Sequence, residues 1–162
     1  MMLDASKAFD RVHYVKLFRL LLDKGICPLV ARLLSFLYTN QSMAIKWGSS
    51  VSRNFKVSNG VKQGGILSPI IFTIYMDELF VKLKKCGVGC YIGSYFMGGF
   101  GYGDDGAVVA PTVYSLKYLL KICDEFGKAF NVLFNVAKYQ LLHYFRMKVV
   151  DNFKVFIIMI FS

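Results

Sequence analysis

A chain of 162 residues is long enough for one domain with a real core, one that removes roughly two-thirds of the unfolded surface from water. Hydrophobic residues make up 56% and charged residues 19%, which excludes a disordered chain. Twenty Lys and Arg against ten Asp and Glu give a net charge of +10. That excess favours a polyanionic partner, with an anionic membrane surface as the competing reading.

In chain order, residues 1–5 read as a strand. A helix is expected from Arg11 to Lys24, with Val12, Val15, Phe18, Leu21 and Leu22 on one face and Gly25 as its stop. Pro28 suits the first turn of a second helix running to about Tyr38. Met43, Ile45 and Trp47 alternate, as do Phe55 and Val57, with Gly48-Ser49-Ser50 between them, so a hairpin is expected over about 42–58. Asn59 to Gly65 is a glycine-bearing loop. Ser68 and Pro69 then read as N-cap and first residue of a helix to about Lys85. Short strands are expected around Tyr91–Tyr95, Met97–Tyr102 and Ala107–Ala110, and a helix capped by Thr112 ends near Lys128. Further strands are expected around Asn131–Phe134 and Gln140–Phe145, and residues 146–162 read as an irregular tail. Helices and strands intermixed without regular βαβ repeats predict an α+β fold.

Apolar stretches such as Ile70–Met76 and Val155–Phe161 fall short of the ~18 residues a membrane helix needs, and Asp4 and Lys7 stand where a secretory signal would be apolar. Cys27, Cys86, Cys90 and Cys123 read as free thiols in an intracellular setting, because neither His13 nor His143 lies near the Cys86/Cys90 pair.

Three aspartates carry the chemistry. Asp4 sits in Leu-Asp-Ala-Ser-Lys-Ala-Phe-Asp, and Asp104 and Asp105 sit in Tyr-Gly-Asp-Asp on an expected hairpin. Alone, Asp4 also suits a turn or an N-cap and Asp104-Asp105 a solvated hairpin turn, while Asp10 suits the cap of the helix expected from Arg11. Brought together, three carboxylates would offer hard oxygen ligands for divalent cations, the requirement of nucleotidyl transfer. Gly101-Tyr-Gly103-Asp-Asp-Gly106 matches the dinucleotide-binding fingerprint letter for letter. It is rejected, because aspartates occupy the pyrophosphate position and Pro111 follows where a helix should open.

Four blocks in order resemble the reverse transcriptases of non-LTR (LINE-type) retrotransposons. They are Leu3-Asp4-Ala5-Ser6-Lys7-Ala8-Phe9-Asp10-Arg11-Val12, Gly60-Val61-Lys62-Gln63-Gly64-Gly65-Ile66-Leu67-Ser68-Pro69, Tyr102-Gly103-Asp104-Asp105 and Asn135-Val136-Ala137-Lys138. Phe72, Tyr75 and Asp77 extend the second. The resemblance implies a palm, a ferredoxin-like antiparallel sheet with packed helices, over residues 1–145, with one fingers-like hairpin and with the thumb and most of the fingers missing. It implies an RNA template, a DNA primer, dNTP and two Mg²⁺ ions, with Mn²⁺ as a substitute. Asp4, Asp104, Asp105 and the carbonyl of Ala5 would hold the metal. Phe9 would sit under the incoming sugar and select dNTP. Lys62, Gln63, Gly64 and Tyr102 would contact substrate, and Lys138 would meet the leaving pyrophosphate. The family would act in the nucleus.

The chain departs from the family at Gly103, where alanine is usual and where glycine is expected to loosen the hairpin, and at Tyr139, where a small polar residue is usual. The expected function is an RNA-directed DNA polymerase domain, weakly active or inactive as this chain alone. The alternatives are a non-catalytic nucleic-acid-binding remnant and a relic that does not fold stably because its sheet edges have lost their neighbours.

Overall fold

A computed structural model describes residues 1–135 in full, and the strands 141–146 and 156–161 by their backbone pairing. The first strand, β1 (Met2–Ser6), alternates Leu3 and Ala5 into the core with Asp4 on the other face. A single 3-10 turn (Phe9–Arg11) then leads to helix α1 (Tyr14–Asp23), so the helix expected from Arg11 starts three residues later. Its buried stripe is Tyr14, Leu17 and Leu21. Val15 and Leu22, expected on the inner face, are exposed. Gly25, at φ +83, ends the helix, and the N–H groups of Gly25 and Ile26 donate to the carbonyls of Leu22 and Leu21.

Helix α2 (Pro28–Thr39) follows, with Pro28 in its first turn. A ribbon comes next, built from β2 (Ser42–Met43), β3 (Lys46–Trp47), β4 (Ser50–Val51) and β5 (Phe55–Lys56). Lys46 pairs with Val51 and Met43 with Phe55. The register therefore shifts by one residue between the two pairings, and the return strand bulges within Ser52–Asn54.

Helix α3 (Ser68–Lys85) is the centre of the core and buries Phe72, Tyr75, Met76, Leu79 and Leu83. Ser68 does not cap it as expected. It lies inside the first turn, is buried, and its hydroxyl donates to the carbonyl of Lys62 at 2.5 Å. A short hairpin, β6 (Tyr91–Ile92) and β7 (Tyr95–Phe96), precedes a second one, β8 (Gly99–Tyr102) and β9 (Asp105–Val108). Helix α4 (Val113–Phe130) is capped as expected, Thr112 Oγ1 accepting the N–H of Ser115 at 3.1 Å. Asn131, at φ +57, closes it and β10 (Leu133–Phe134) returns to the sheet.

The main sheet has the order β10-β1-β9-β8 with every pairing antiparallel. Helices α3 and α4 pack against it, and α1 packs on α3 and α2. Helices beside an antiparallel sheet make the fold α+β, as expected. Strands β11 (Leu141–Arg146) and β12 (Phe156–Phe161) pair antiparallel over six residues, so the segment read as an irregular tail contributes a strand.

The glycine-rich strand β8 explains the rejected fingerprint. A Cβ on Gly101 would lie 2.6 Å from the ring of Phe80, and one on Gly99 would lie 2.9 Å from Leu83. Those glycines let α3 approach the strand, and Gly106 lies within β9 rather than at the start of a helix.

Candidate active site

The backbone places the three aspartates at one corner of the main sheet. Asp4 on β1 stands directly opposite Asp105 on β9. Directly opposed antiparallel residues share a face, with Cβ atoms ~4.5–5.5 Å apart. Asp104 lies in the two-residue turn that joins Tyr102 to Asp105, and its carbonyl accepts the N–H of Ala5 at 3.2 Å. Gly103 holds the first position of that turn at φ +60, the conformation that a two-residue hairpin needs and that glycine supplies. This corrects the expectation that glycine loosens the hairpin, since an alanine there would be strained. Asp104, Asp105 and Tyr102 are exposed, Tyr102 at 92%, while Asp4 is partly covered.

Asn135, the first residue of the fourth block, reaches the same corner. Ala5 pairs with Phe134, and Asn135 donates its N–H to the carbonyl of Asp4 at 2.8 Å. The Ala5 side chain is buried, so only its backbone is available to a ligand. Lys138 lies outside the described residues.

The second block is clipped to the first. The N–H of Gly60 donates to the carbonyl of Val12 at 3.0 Å, and that of Val61 to the carbonyl of Phe9 at 2.7 Å. Gly60 is buried at φ +86, and a Cβ there would lie 2.8 Å from Asp10 Cα and 2.9 Å from the carbonyls of Phe9 and Asp10. Only glycine allows this crossing of two main chains. Gln63 Nε2 donates to Asp10 Oδ1 at 3.3 Å. Asp10 therefore binds the loop rather than capping a helix; the α1 N-cap is His13, with no side-chain cap. Asp10, Gln63 and Lys62 line an open cleft of about 310 Å³ with Gln41, Met43 and Val57 of the ribbon. Gly64 is exposed, with open space where a side chain would be.

The core fixes both blocks from below. Phe9 stacks on Phe72 of α3 with ring centroids 4.7 Å apart. Tyr75 is fully buried, and its hydroxyl accepts the N–H of His13 at 3.3 Å and donates to the carbonyl of Phe130 at 2.5 Å. Burial pushes the Tyr75 phenol up from its usual range, while the hydrogen bond from the His13 backbone works against that rise. Asp77, one helical turn short of Phe80, pairs with Lys24 and ties α3 to the end of α1.

The donor set suits a hard cation, because carboxylate and carbonyl oxygens are the ligands Mg²⁺ takes. Among the described residues, no three His, Cys, Asp or Glu side chains are gathered closely enough to hold a metal ion. The backbone thus brings the candidate ligands to one corner, and a bound ion requires the carboxylates to converge from there. Among the described residues, no helix is long and apolar enough to cross a membrane.

Sequence reasoning missed the roles of Gly60 and Asp10, the one a crossing point and the other a loop anchor. The signal was present in the short second block, since a glycine before Val-Lys-Gln invites a close approach; its target, 50 residues earlier, was not legible.

The profile of the family described as reverse transcriptase (RNA-dependent DNA polymerase) matches residues 1–157. The chain is 28% identical over 136 residues to the retrovirus-related Pol polyprotein from type-2 retrotransposable element R2DM of Drosophila melanogaster, covering 84% of this chain and 13% of that one. It is 35% identical over 86 residues to the Pol polyprotein from type-1 retrotransposable element R2 of Popillia japonica, covering 51% of this chain and 14% of the relative. The probable RNA-directed DNA polymerase from transposon X-element of Drosophila melanogaster is 30% identical over 77 residues, 48% of this chain and 8% of the relative. The chain spans about one-eighth of the length of the two R2 relatives. With the match running over nearly its whole length, the chain belongs to the reverse transcriptase (RNA-dependent DNA polymerase) family.

Proposed function

We propose that this chain is the palm of a non-LTR retrotransposon reverse transcriptase, with one fingers-like hairpin, and that its sheet corner performs two-metal nucleotidyl transfer. The observation that carries the reading is the register that sets Asp4 opposite Asp105, with Asp104 in the adjoining turn. Like charges directly across a ladder repel, and a divalent cation would be attracted to both. Asp4, Asp104, Asp105 and the Ala5 carbonyl are the ligands. Mg²⁺ held there supplies activation of a primer 3′-hydroxyl and neutralisation of departing pyrophosphate.

The chain's own residues do the positioning. The primer oxygen attacks the α-phosphorus of a dNTP, a P–O bond forms to the primer, and the bond to pyrophosphate breaks. Lys138 donates a proton to, or neutralises, that leaving group. Phe9, fixed in angle by its stack on Phe72, presents a ring edge where a ribose 2′-hydroxyl would sit, which favours dNTP. Gln63, held by Asp10, and Gly64 face the nascent base pair, with Lys62 and Tyr102 beside them.

Without further grip on template and triphosphate, activity of this chain alone is weak or absent, because positioning can be worth roughly 7–11 kcal/mol of barrier. The test is Mg²⁺-dependent dNTP incorporation on an RNA template with a DNA primer. Incorporation by the parent but not by Asp104→Asn supports the reading, and incorporation that survives the substitution overturns it. A second reading, a nucleic-acid-binding domain without catalysis, draws support from carboxylates that are not gathered into a metal-holding group among the described residues. It predicts binding that needs neither Mg²⁺ nor Asp4.

A further inference from the structure

The ribbon β2–β5 carries features that the catalytic reading leaves unused. Between Asp23 and Asp77 the sequence has no acidic residue, yet it holds Lys24, Arg32, Lys46, Arg53, Lys56 and Lys62. Lys24 is neutralised by Asp77; the others have no carboxylate within their own stretch of chain.

The two faces of the ribbon differ in chemistry. Met43, Ile45 and Trp47 alternate onto one face, and Phe55 stands opposite Met43. All four are exposed, Trp47 at 85%. Lys46 and Lys56 belong to the other face, opposite Val51 and Ser42. The bulge in Ser52–Asn54 re-aims the tip, where Gly48 turns the chain at φ +59 and leaves Trp47 projecting. A large exposed indole on one face of a narrow ribbon, with cations on the other, has the composition of a base-stacking platform for a strand that wraps the ribbon's edge, because every base has a π-face and the phosphates on either side need neutralising.

An anionic membrane surface would also accept an indole among cations. Position decides between them. Gln41, Met43 and Val57, at the base of the ribbon, line the same cleft as Lys62 and Gln63, so a nucleic-acid strand in that cleft continues directly onto the ribbon. A stacked base must also be unpaired, which selects a single strand over a duplex.

We infer that the ribbon of residues 42–56 is a single-strand nucleic-acid site in which Trp47 stacks on an unpaired base while Lys46, Arg53 and Lys56 neutralise the flanking phosphates. The inference takes from the proposed function only the place of the cleft. Its readout needs neither metal nor turnover, so a chain that fails to extend a primer can still pass this test, and the reverse.

Trp47 is the sole tryptophan, so intrinsic fluorescence reports on the site directly. The full chain is titrated in EDTA with oligo(U) and oligo(dT) of ~20 nucleotides, longer than one site, at low and raised salt. Saturable quenching by both oligomers is expected. Binding, followed separately by anisotropy of an end-labelled oligomer, weakens about tenfold in Trp47→Leu and recovers in Trp47→Phe, which keeps a stacking ring. Lys46→Gln and Arg53→Gln each lower the salt slope by about one unit or less. At 85% exposure the tryptophan substitutions leave folding intact, checked by circular dichroism. Unchanged emission at saturating oligomer overturns the inference, as does affinity unchanged in Trp47→Leu. So does an emission shift with phosphatidylserine vesicles that oligomers do not produce, which would assign the ribbon to a lipid surface.

Discussion

Asp4 and Asp105 face each other across the β1–β9 ladder at the one register position where both strands carry a carboxylate. Like charges directly opposed across a ladder repel, on the order of 0.2–1 kcal/mol. The expected outcome is that Asp105→Asn raises the denaturation midpoint in EDTA by that order, and that the gain shrinks or reverses when Mg²⁺ is present. Denaturant titrations with and without Mg²⁺ check it.

The crossing of the first two blocks depends on Gly60. An alanine there would put Cβ 2.8 Å from Asp10 Cα, at a backbone angle of +86°. Gly60→Ala is expected to cost at least about 2 kcal/mol, from left-handed strain and overpacking together. Gly64→Ala is the control. It has φ +77 but open space around the new atom, so it should lose only about 1–2 kcal/mol. Equal losses in chemical denaturation would contradict the account of the crossing.

Tyr75 joins three elements through one hydroxyl, which accepts from His13 N–H and donates to the Phe130 carbonyl. Tyr75→Phe keeps the ring and strands both backbone groups. A loss of about 1–3 kcal/mol follows, read as a lower thermal midpoint with the folded-state circular dichroism unchanged.

Cys123 on α4 is buried, and burial pushes its thiol up from 9.0 to about 12, against a smaller lowering by its own backbone N–H. Its folded form therefore holds the proton longer than the unfolded chain. Stability from this group is complete below pH 9 and is lost as pH rises from 9 towards 12, by about 1.4 kcal/mol per unit. Alkylation with iodoacetamide at pH 8 is expected to label exposed Cys27 readily and to spare Cys123 until the chain unfolds. Equal labelling rates would contradict this.

The backbone placement of the first and third blocks was legible because those blocks are short and local. Turn chemistry identified the Asp104 hairpin, and Thr112 and Pro28 marked their helices through side chains acting within a few residues. What escaped was set by distant partners. The face of α1 was misread because its apolar residues cover more than half its circumference, and only packing on α3 and α2 selects Leu17 over Val15. Asp10 read as a cap because capping is local, whereas its partner Gln63 lies 53 residues on. Ser68 likewise turns from its helix to the Lys62 carbonyl. The bulge in the ribbon leaves no sequence mark, since only register counting reveals the extra residue.

Mn²⁺ titration of the folded chain, followed by electron paramagnetic resonance, tests whether the carboxylates of Asp4, Asp104 and Asp105 form a divalent-cation site. Saturable binding of up to two ions per chain is expected, weakened at least tenfold by Asp4→Asn or Asp104→Asn while circular dichroism stays unchanged. Binding that is the same in the parent and in both variants would contradict it.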